Sequence, residues 1–597
     1  MTGIQPPVQD PSGVFFWARS GGGHRTAKEG VKQQKIKEAR EQGKTFRVQE
    51  DLDITGDRVL SSIKLPFVGG LGDIGVKQWD EAQKKGDLKF LERYASWGWI
   101  GEIIFYPLVY FKVKWLLQDL KVQPEFVVST QAFCLNAIMR AMQTVNKEKS
   151  WNMHMHVYLT DMPSKKAIHF FPSIRKVTDD NDLSKLITLH APPPLRKPGQ
   201  TEADEKAFWT KHCGKINVIT NEQFPIREAF LDTGKLRRRL EAPIVDVQIK
   251  VNEASEKELL TQAMARGATH EVADNQVTYK IRDKDKLGFL MLGSQPTTQS
   301  VLNWLHTMVQ QGQNAPIRPD DDTQRYFFLY CGVPHTQETR NPLFDEVTAT
   351  IKKYKDAGKL PPNFNIVPFT NQDADEIALL MARSDLSITR SGGATTMELL
   401  QLHQADLPKR PNKLTLIHSE ALQAKDLVPP TIDHAEIAKK ITKDMAQVCG
   451  NRKLLNQPEW NQIKVEMMHF CRNLGYSPKK SERIVENVLR LYTSKDVAAE
   501  NIEEIFKEMK KLSQIMTKKL PKHEVRIDQE MQRMQQKAKY QALALPQLRQ
   551  LAIENVLMKE GIVLWESGNA KYLQRKIGAH VVNPQYATNL IEQSFFG

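Results

Sequence analysis

Cysteine is scarce in this chain. Five residues in 597 (Cys134, Cys213, Cys331, Cys449 and Cys471) are odd in number, scattered, and never in a C-x-x-C pair. That excludes a disulfide framework and a zinc ribbon, and it suits a reducing compartment. Long uncharged apolar runs are also missing. The greasiest stretch, Trp97 to Leu117, is interrupted by Glu102, Lys112 and Lys114 and divided by Pro107. A lone membrane-crossing helix needs ~20 residues with few charges, so no span is expected there. The opening residues, MTGIQPPVQDPS, have neither a basic nor an apolar leader segment, and no secretory signal is expected. Neither sign of charge is rare: 84 Lys and Arg face 70 Asp and Glu, a formal +14. This balance permits anionic partners without naming one. What is present, 40% hydrophobic and 26% charged residues, is the make-up of a globular protein with several cores.

Strand-like and helix-like segments alternate through the first third. Val14–Ala18 is an apolar run ending at a glycine loop, followed by a Lys, Glu, Ala and Gln-rich helix over Thr26–Gln42. Phe126–Ser129, His156–Leu159 and Ile216–Thr220 read as further strands. Such alternation predicts a parallel sheet with crossover helices. The pattern pauses over Glu241–Lys286, read as a connection carrying an insertion and a hairpin piece at Val277–Ile281. It then restarts with Gly288–Leu292, Tyr326–Tyr330, Phe364–Pro368, Leu386–Thr389 and Leu414–Ile417. Residues 433–597 are helical in composition, and Ile502, Ile505, Met509, Leu512 and Met516 form an amphipathic stripe. The expected organisation is α/β: Rossmann-like domains at 1–245 and 246–432, then an all-helical extension at 433–597. The aromatic segment 97–117 reads as a half-buried helix pair around Pro107, with a lipid-facing surface as the alternative.

Six constellations fall where strands end, the edge at which open α/β sheets bind ligands. The first is Ser20–Ala27, in which Gly21, Gly22 and Gly23 let backbone approach an anion at a helix start. It fits neither the dinucleotide nor the P-loop fingerprint. His24 at that helix start titrates near neutrality. The second is Arg390–Glu398, whose small residues Ser391, Gly392, Gly393 and Thr395 leave backbone N–H groups open to phosphate. Glu398 could hold ribose hydroxyls, or be a plain first-turn acid favoured by the helix dipole. The others are Gly293-Ser294-Gln295, Pro225-Ile226-Arg227, Thr160-Asp161, and His418 with Gln423.

These motifs resemble GT-B glycosyltransferases of family 28, the group of the peptidoglycan lipid-intermediate GlcNAc transferase and the monogalactosyldiacylglycerol synthases. Gly21–Ala27 is similar to the Gly-Gly-Gly-His-Arg-x-x-Ala loop of the galactolipid enzymes. Thr160-Asp161 with His169 loosely resembles another of their motifs. Arg390–Glu398 is similar to the Arg-Ser-Gly-Ala-x-Thr-x-x-Glu motif of the GlcNAc transferase, which also matches Gly293–Gln295, Pro225–Arg227 and His418 with Gln423. The likeness spans roughly residues 13–430 and departs at Pro296-Thr297-Thr298, where the family continues with Gly-Ala. The resemblance implies two Rossmann-like domains facing across a cleft, and inverting, metal-independent transfer of a sugar from a nucleotide-diphosphate donor, UDP-sugar first, to a hydroxyl. It implies His24 or Asp161 as base. It assigns Gly22, Gly23, Arg227, Ser294, Gln295, Arg390, Ser391, Gly392, Gly393, Thr395, Glu398, His418 and Gln423 to the donor, with no metal and no cofactor beyond the nucleotide sugar.

Two other functions fit the same motifs: a nucleotide-sugar hydrolase or epimerase, and a non-catalytic scaffold of a bacterial effector whose tail binds a host partner. The expected partner is a nucleotide sugar, with the acceptor (lipid-linked, glycan or protein) left open; a membrane surface at 97–117 and a protein at 433–597 are the alternatives to burial of those segments. No nucleic acid is expected, because the tail's charges are interleaved rather than clustered with aromatics. The expected setting is cytoplasmic or peripheral to a membrane, with delivery into a host cell as the effector alternative.

Overall fold

The computed structural model describes residues 10–420 except 20–21, 63, 66–68, 164–169, 195–199, 221–225, 252–259, 261–268, 274, 294–295, 315–321, 333–340 and 411–412. It further describes isolated residues between 461 and 486, and 523–596 except 538–539, 541–542 and 564–565. Ser294, Gln295, Gln423, His169, Pro225 and the stripe at 502–516 lie outside the described residues.

Two parallel six-stranded sheets carry the molecule. In chain order the first uses β1 (Ser12–Trp17), β2 (Arg47–Asp53), β3 (Phe126–Ser129), β4 (Met155–Tyr158), β5 (Ile187–Ala191) and β6 (Asn217–Thr220). Its spatial order is β2-β1-β3-β4-β5-β6. Val14, Phe15 and Phe16 are fully buried, as an inner strand of a sheet covered on both faces requires.

A small antiparallel sheet follows: β7 (Ile244–Lys250), β8 (His270–Val272) and β9 (Gln276–Arg282). Along β7, Val245, Val247 and Ile249 point inward and alternate with exposed residues, the period-two signature of a half-buried strand. This unit is the insertion expected near 241–286.

The second large sheet uses β10 (Lys286–Met291), β11 (Arg325–Tyr330), β12 (Phe364–Phe369), β13 (Leu386–Thr389), β14 (Leu414–His418) and β15 (His580–Val582). Its order, β12-β11-β10-β13-β14-β15, is the 3-2-1-4-5-6 order of a doubly wound dinucleotide-type fold. The switch point lies between β10 and β13, so a crevice opens at their carboxyl ends.

The C-terminal region is helical, with α13 (His523–Gln535), α14 (Leu545–Glu560), α15 (Glu566–Ile577) and α16 (Pro584–Ile591). It is not helical throughout, however. β15 pairs in parallel with β14, and Phe595 and Phe596 pack on Phe364 in the core of the second sheet. The expectation of an all-helical 433–597 therefore misses one strand. Val581 and Val582 are β-branched and fully buried beside an open sheet edge, and that edge overrides the helical composition around them.

The remaining helices that matter for the site are α1 (Gly22–Glu41), α2 (Leu71–Lys85), α3 (Leu88–Gln118), α4 (Leu135–Lys149), α5 (Phe171–Thr178), α6 (Glu202–Cys213), α7 (Glu228–Leu231), α8 (Thr233–Leu240), α9 (Thr298–Asn314), α10 (Pro342–Asp356), α11 (Ala374–Arg383) and α12 (Gly393–Gln404). The segment at 97–117 belongs to one helix, α3, which runs through Pro107, rather than to a helix pair. A proline inside a helix removes one hydrogen bond and costs about 3 kcal/mol. Here Tyr106, Leu108, Val109, Tyr110 and Phe111 around it are all buried in the first core, and their burial offsets that loss. No described helix is long and apolar enough to cross a membrane.

Candidate functional site

The carboxyl ends of the two sheets meet. After β1 the chain turns into α1, and α1 contacts α12 of the second half. His24 sits in the first turn of α1. Its Nδ1 lies 2.6 Å from the carbonyl oxygen of Thr130, and the Thr130 hydroxyl donates to the His24 carbonyl (2.9 Å). A carbonyl only accepts, so Nδ1 carries the proton and the lone pair of the neutral ring lies on Nε2. Phe170 packs at 6.0 Å from the ring. Gly22 and Gly23 open the same helix.

Thr160 and Asp161 follow β4 and are buried. Against them stands Gly393, first residue of α12. A Cβ at position 393 would lie 1.5 Å from the Thr160 carbonyl oxygen, so only glycine fits. Asn569 of α15, fully buried, closes this junction. Its Nδ2 donates to Asp161 Oδ1 (2.9 Å) and to the Ser391 carbonyl (2.7 Å), and its Oδ1 accepts from the Met162 N–H (2.7 Å). Nothing in the composition of the tail pointed to Asn569.

Glu398 is not a first-turn acid. With Gly392 as N-cap and Gly393 as first helical residue, it falls in the second turn of α12, beyond the reach of the dipole's strongest effect. Its carboxylate is 1% exposed and is held two-pronged by Arg227, Nε to Oε1 at 2.7 Å and Nη2 to Oε2 at 2.9 Å. Burial works against the Arg227 charge, but the Glu398 carboxylate overrides it and raises the guanidinium pKa. Two residues read separately as donor contacts are thus each other's partner. Arg227 can reach Glu398 because the chain leaving the first sheet, through α7 and α8, already packs on α11 of the second half.

His418 ends β14 and is buried. The Trp304 indole N–H donates to its Nδ1 (3.1 Å), which leaves the proton on Nε2, 3.1 Å from Glu420 Oε1. Glu420 in turn accepts from Thr297 (2.9 Å) and Ser300 (2.6 Å) at the head of α9. Burial would raise the Glu420 pKa, but the His418 ring, the Ser300 hydroxyl and the Arg390 charge bring it down to about 2. A carboxylate that stays ionised this deep fixes the head of α9 beside the crevice. Arg390 itself lies near Glu566 of α15 (3.5 Å). Gly293, two residues past β10, holds a left-handed φ of +86°, which only glycine adopts without strain.

Several buried polar groups around these loops keep hydrogen-bonding capacity that no group among the described residues uses. They are the Thr389, Ser391 and Thr396 hydroxyls at the α12 end and both side-chain atoms of Gln131 beside Thr130. Buried polar atoms are paired in the great majority of cases, so a cluster of unused ones marks a surface suited to a polar ligand. Gln131, Asn569 and Glu420 were not assigned from sequence; only their strand-end position could have singled out the first and third. Among the described residues, no group of three His, Cys, Asp or Glu side chains could hold a metal ion.

The constellations at Gly22–His24, Thr160–Asp161, Arg227 and Arg390–Glu398 therefore converge, and His418 joins them through Glu420.

No protein-family model matches the chain, and no curated protein matches its sequence. Solved structures resemble it in outline. MurG of Acinetobacter baumannii aligns over 84% of this chain and 100% of its own, at 12% identity and a TM-score of 0.28. Arabidopsis thaliana UGT89C1, complexed with UDP-L-rhamnose, aligns over 84% and 100%, at 10% and 0.30. An α,α-trehalose 6-phosphate synthase of Burkholderia multivorans aligns over 85% and 100%, at 10% and 0.31. What the chain does is read from its own residues.

Proposed function

We propose that this chain is a glycosyltransferase that moves a sugar from a nucleotide-diphosphate sugar, UDP-linked first, to an acceptor hydroxyl, with inversion and without a metal. The observations that support the reading are the packing of Thr160 and Asp161 of one sheet against the α12 start of the other and the contact of α1 with α12, beside unused buried hydroxyls. The acceptor must lose a proton as it attacks the anomeric carbon. His24, with its Nε2 lone pair and its ring fixed by Thr130, suits that base role, and Asp161 is the alternative. The departing diphosphate gathers negative charge, which the N–H groups of the α12 start and Arg390 would stabilise. Arg227 and Glu398 would have to exchange part of their mutual contact for ribose if Glu398 binds the nucleotide.

The test is incubation of the purified chain with UDP-glucose, UDP-galactose and UDP-N-acetylglucosamine, following UDP release and the anomeric configuration of the product. A β-linked product from an α-linked donor is expected, with at least a hundredfold loss in His24→Ala or Asp161→Asn. A second reading, hydrolysis of the donor, is favoured by the closure of the Asp161–Ser391 junction by Asn569, which narrows the acceptor side. Free sugar rather than a glycoside would be its product.

A further inference from the structure

α9 and α16 lie side by side on the second sheet, and a groove of about 240 Å³, reaching the His418 end of β14, runs between them. Its walls carry amides, a hydroxyl and an imidazole: Asn303, His306, Thr307 and Gln310 from α9, Asn583 and Gln585 at the start of α16. The ends of β14, at His418 and Ser419, form the floor. No Asp, Glu, Lys or Arg is among the residues lining it, and Pro584 is its sole apolar side chain.

Asn583 is the telling residue. It stands at the N-cap of α16, where asparagine ordinarily accepts a hydrogen bond from the helix's first turn, yet it caps nothing. It is 1% exposed, and neither Nδ2 nor Oδ1 has a hydrogen-bond partner among the described residues. An amide kept in a buried wall with donor and acceptor both unused destabilises the fold unless a ligand completes it. A leucine, with the same branched skeleton, would occupy the wall without that polar cost.

We propose that this groove binds one neutral sugar ring or polyol of similar size through its hydroxyls. A charged ligand would meet no carboxylate, lysine or arginine here, and an apolar one would strand eight polar side chains. Hydroxyl groups both donate and accept, which is what side-by-side amide N–H and C=O groups require. The volume falls below the ~300–1,000 Å³ of sites for drug-sized ligands, which fits a single ring and is too small for a nucleotide. His418 on the floor is also among the residues that the motif resemblance assigns to the donor, so competition by UDP tells the two sites apart.

The test uses the full chain with methyl α-D-glucopyranoside, methyl β-D-galactopyranoside and myo-inositol, by saturation-transfer NMR and calorimetric titration. At least one probe binds saturably with a millimolar Kd. Asn583→Leu weakens it at least ~10-fold, and Gln310→Ala, on the open wall, weakens it several-fold without changing the melting temperature. Saturating UDP leaves the binding in place. Absence of saturable binding by all three probes, an unchanged Kd in both variants, or displacement by UDP would overturn the proposal. Gln310→Ala keeps the experiment decisive if Asn583→Leu fails to fold.

Discussion

Arg227 and Glu398, 171 positions apart, form a two-pronged ion pair that ties the chain leaving the first sheet to the second turn of α12. Its geometry changes what Glu398 is worth. A surface acid at a helix start contributes ~0.3–1 kcal/mol, and its loss would hardly be felt. Removing one partner of a buried pair strands the other charge and costs about 3–5 kcal/mol. Glu398→Ala is therefore expected to lower stability by that amount in urea denaturation, while Arg227→Met with Glu398→Leu recovers most of it. If Glu398 also binds ribose, nucleotide affinity falls on the order of ten- to a hundredfold in both variants. A single variant as stable as wild type would show that the pair does not persist in solution.

Neighbouring glycines should behave oppositely. A Cβ at 393 meets the Thr160 carbonyl at 1.5 Å, whereas one at Gly392 meets nothing within 4 Å. Gly393→Ala must push α12 away from Asp161, at a cost of about 1–3 kcal/mol or more, and should abolish the alignment of the two halves. Gly392→Ala is expected to cost less than about 1 kcal/mol. Melting curves and UDP-release rates of the two variants measure the contrast; similar behaviour would mean the junction is looser than this geometry.

The sheets themselves were legible in the sequence. Buried parallel strands read as short apolar runs ending in polar loops, and Val14–Ala18 and Tyr326–Tyr330 say so directly. Long-range partners were not legible. Nothing local distinguishes an Arg that will meet Glu398 from any other, because the meeting is made by the path of α7 and α8. β15 escaped for a related reason: three residues, His580–Val582, carry too little pattern to stand out, and their strand state comes from the open edge of β14. The role expected of Pro107 as a break was overruled by burial, which local propensity cannot see.

A histidine cluster on the first sheet gives a signed pH dependence. His156 Nδ1 lies 2.9 Å from His190 Nε2, with His154 and Lys35 close by, and Tyr158 stacks on His190. Burial first, then these neighbouring cations, push both imidazoles down to about 4. The unfolded chain, with histidines near ~6.5, binds more protons between those values, so stability falls as pH drops from about 6.5 to 4. Urea midpoints should decline through that window by an amount on the order of a few kcal/mol in total, and His190→Phe should flatten the decline. A flat profile from 7 to 4 in wild type would contradict the buried neutral pair.

Asn569 offers the sharpest test of how the tail enters the crevice. Its Nδ2 faces the Asp161 carboxylate and the Ser391 carbonyl, while its Oδ1 takes the Met162 N–H. Asn569→Ala removes one hydrogen bond from each of the three and is expected to cost roughly 2–4 kcal/mol at every pH. Asn569→Asp keeps the acceptor for Met162 but sets a second carboxyl against Asp161. Two carboxyls at that distance share a proton, so one folded-state pKa rises well above its unfolded value. A raised carboxyl pKa stabilises the fold at low pH, and that contribution is lost as pH rises through it. Asn569→Asp should thus approach wild-type stability near pH 5 and fall well below it at pH 8, whereas Asn569→Ala shows no such divergence. Parallel pH profiles for the two variants would mean that α15 does not seat Asn569 against Asp161, and the closed junction between the sheets would lose its keystone.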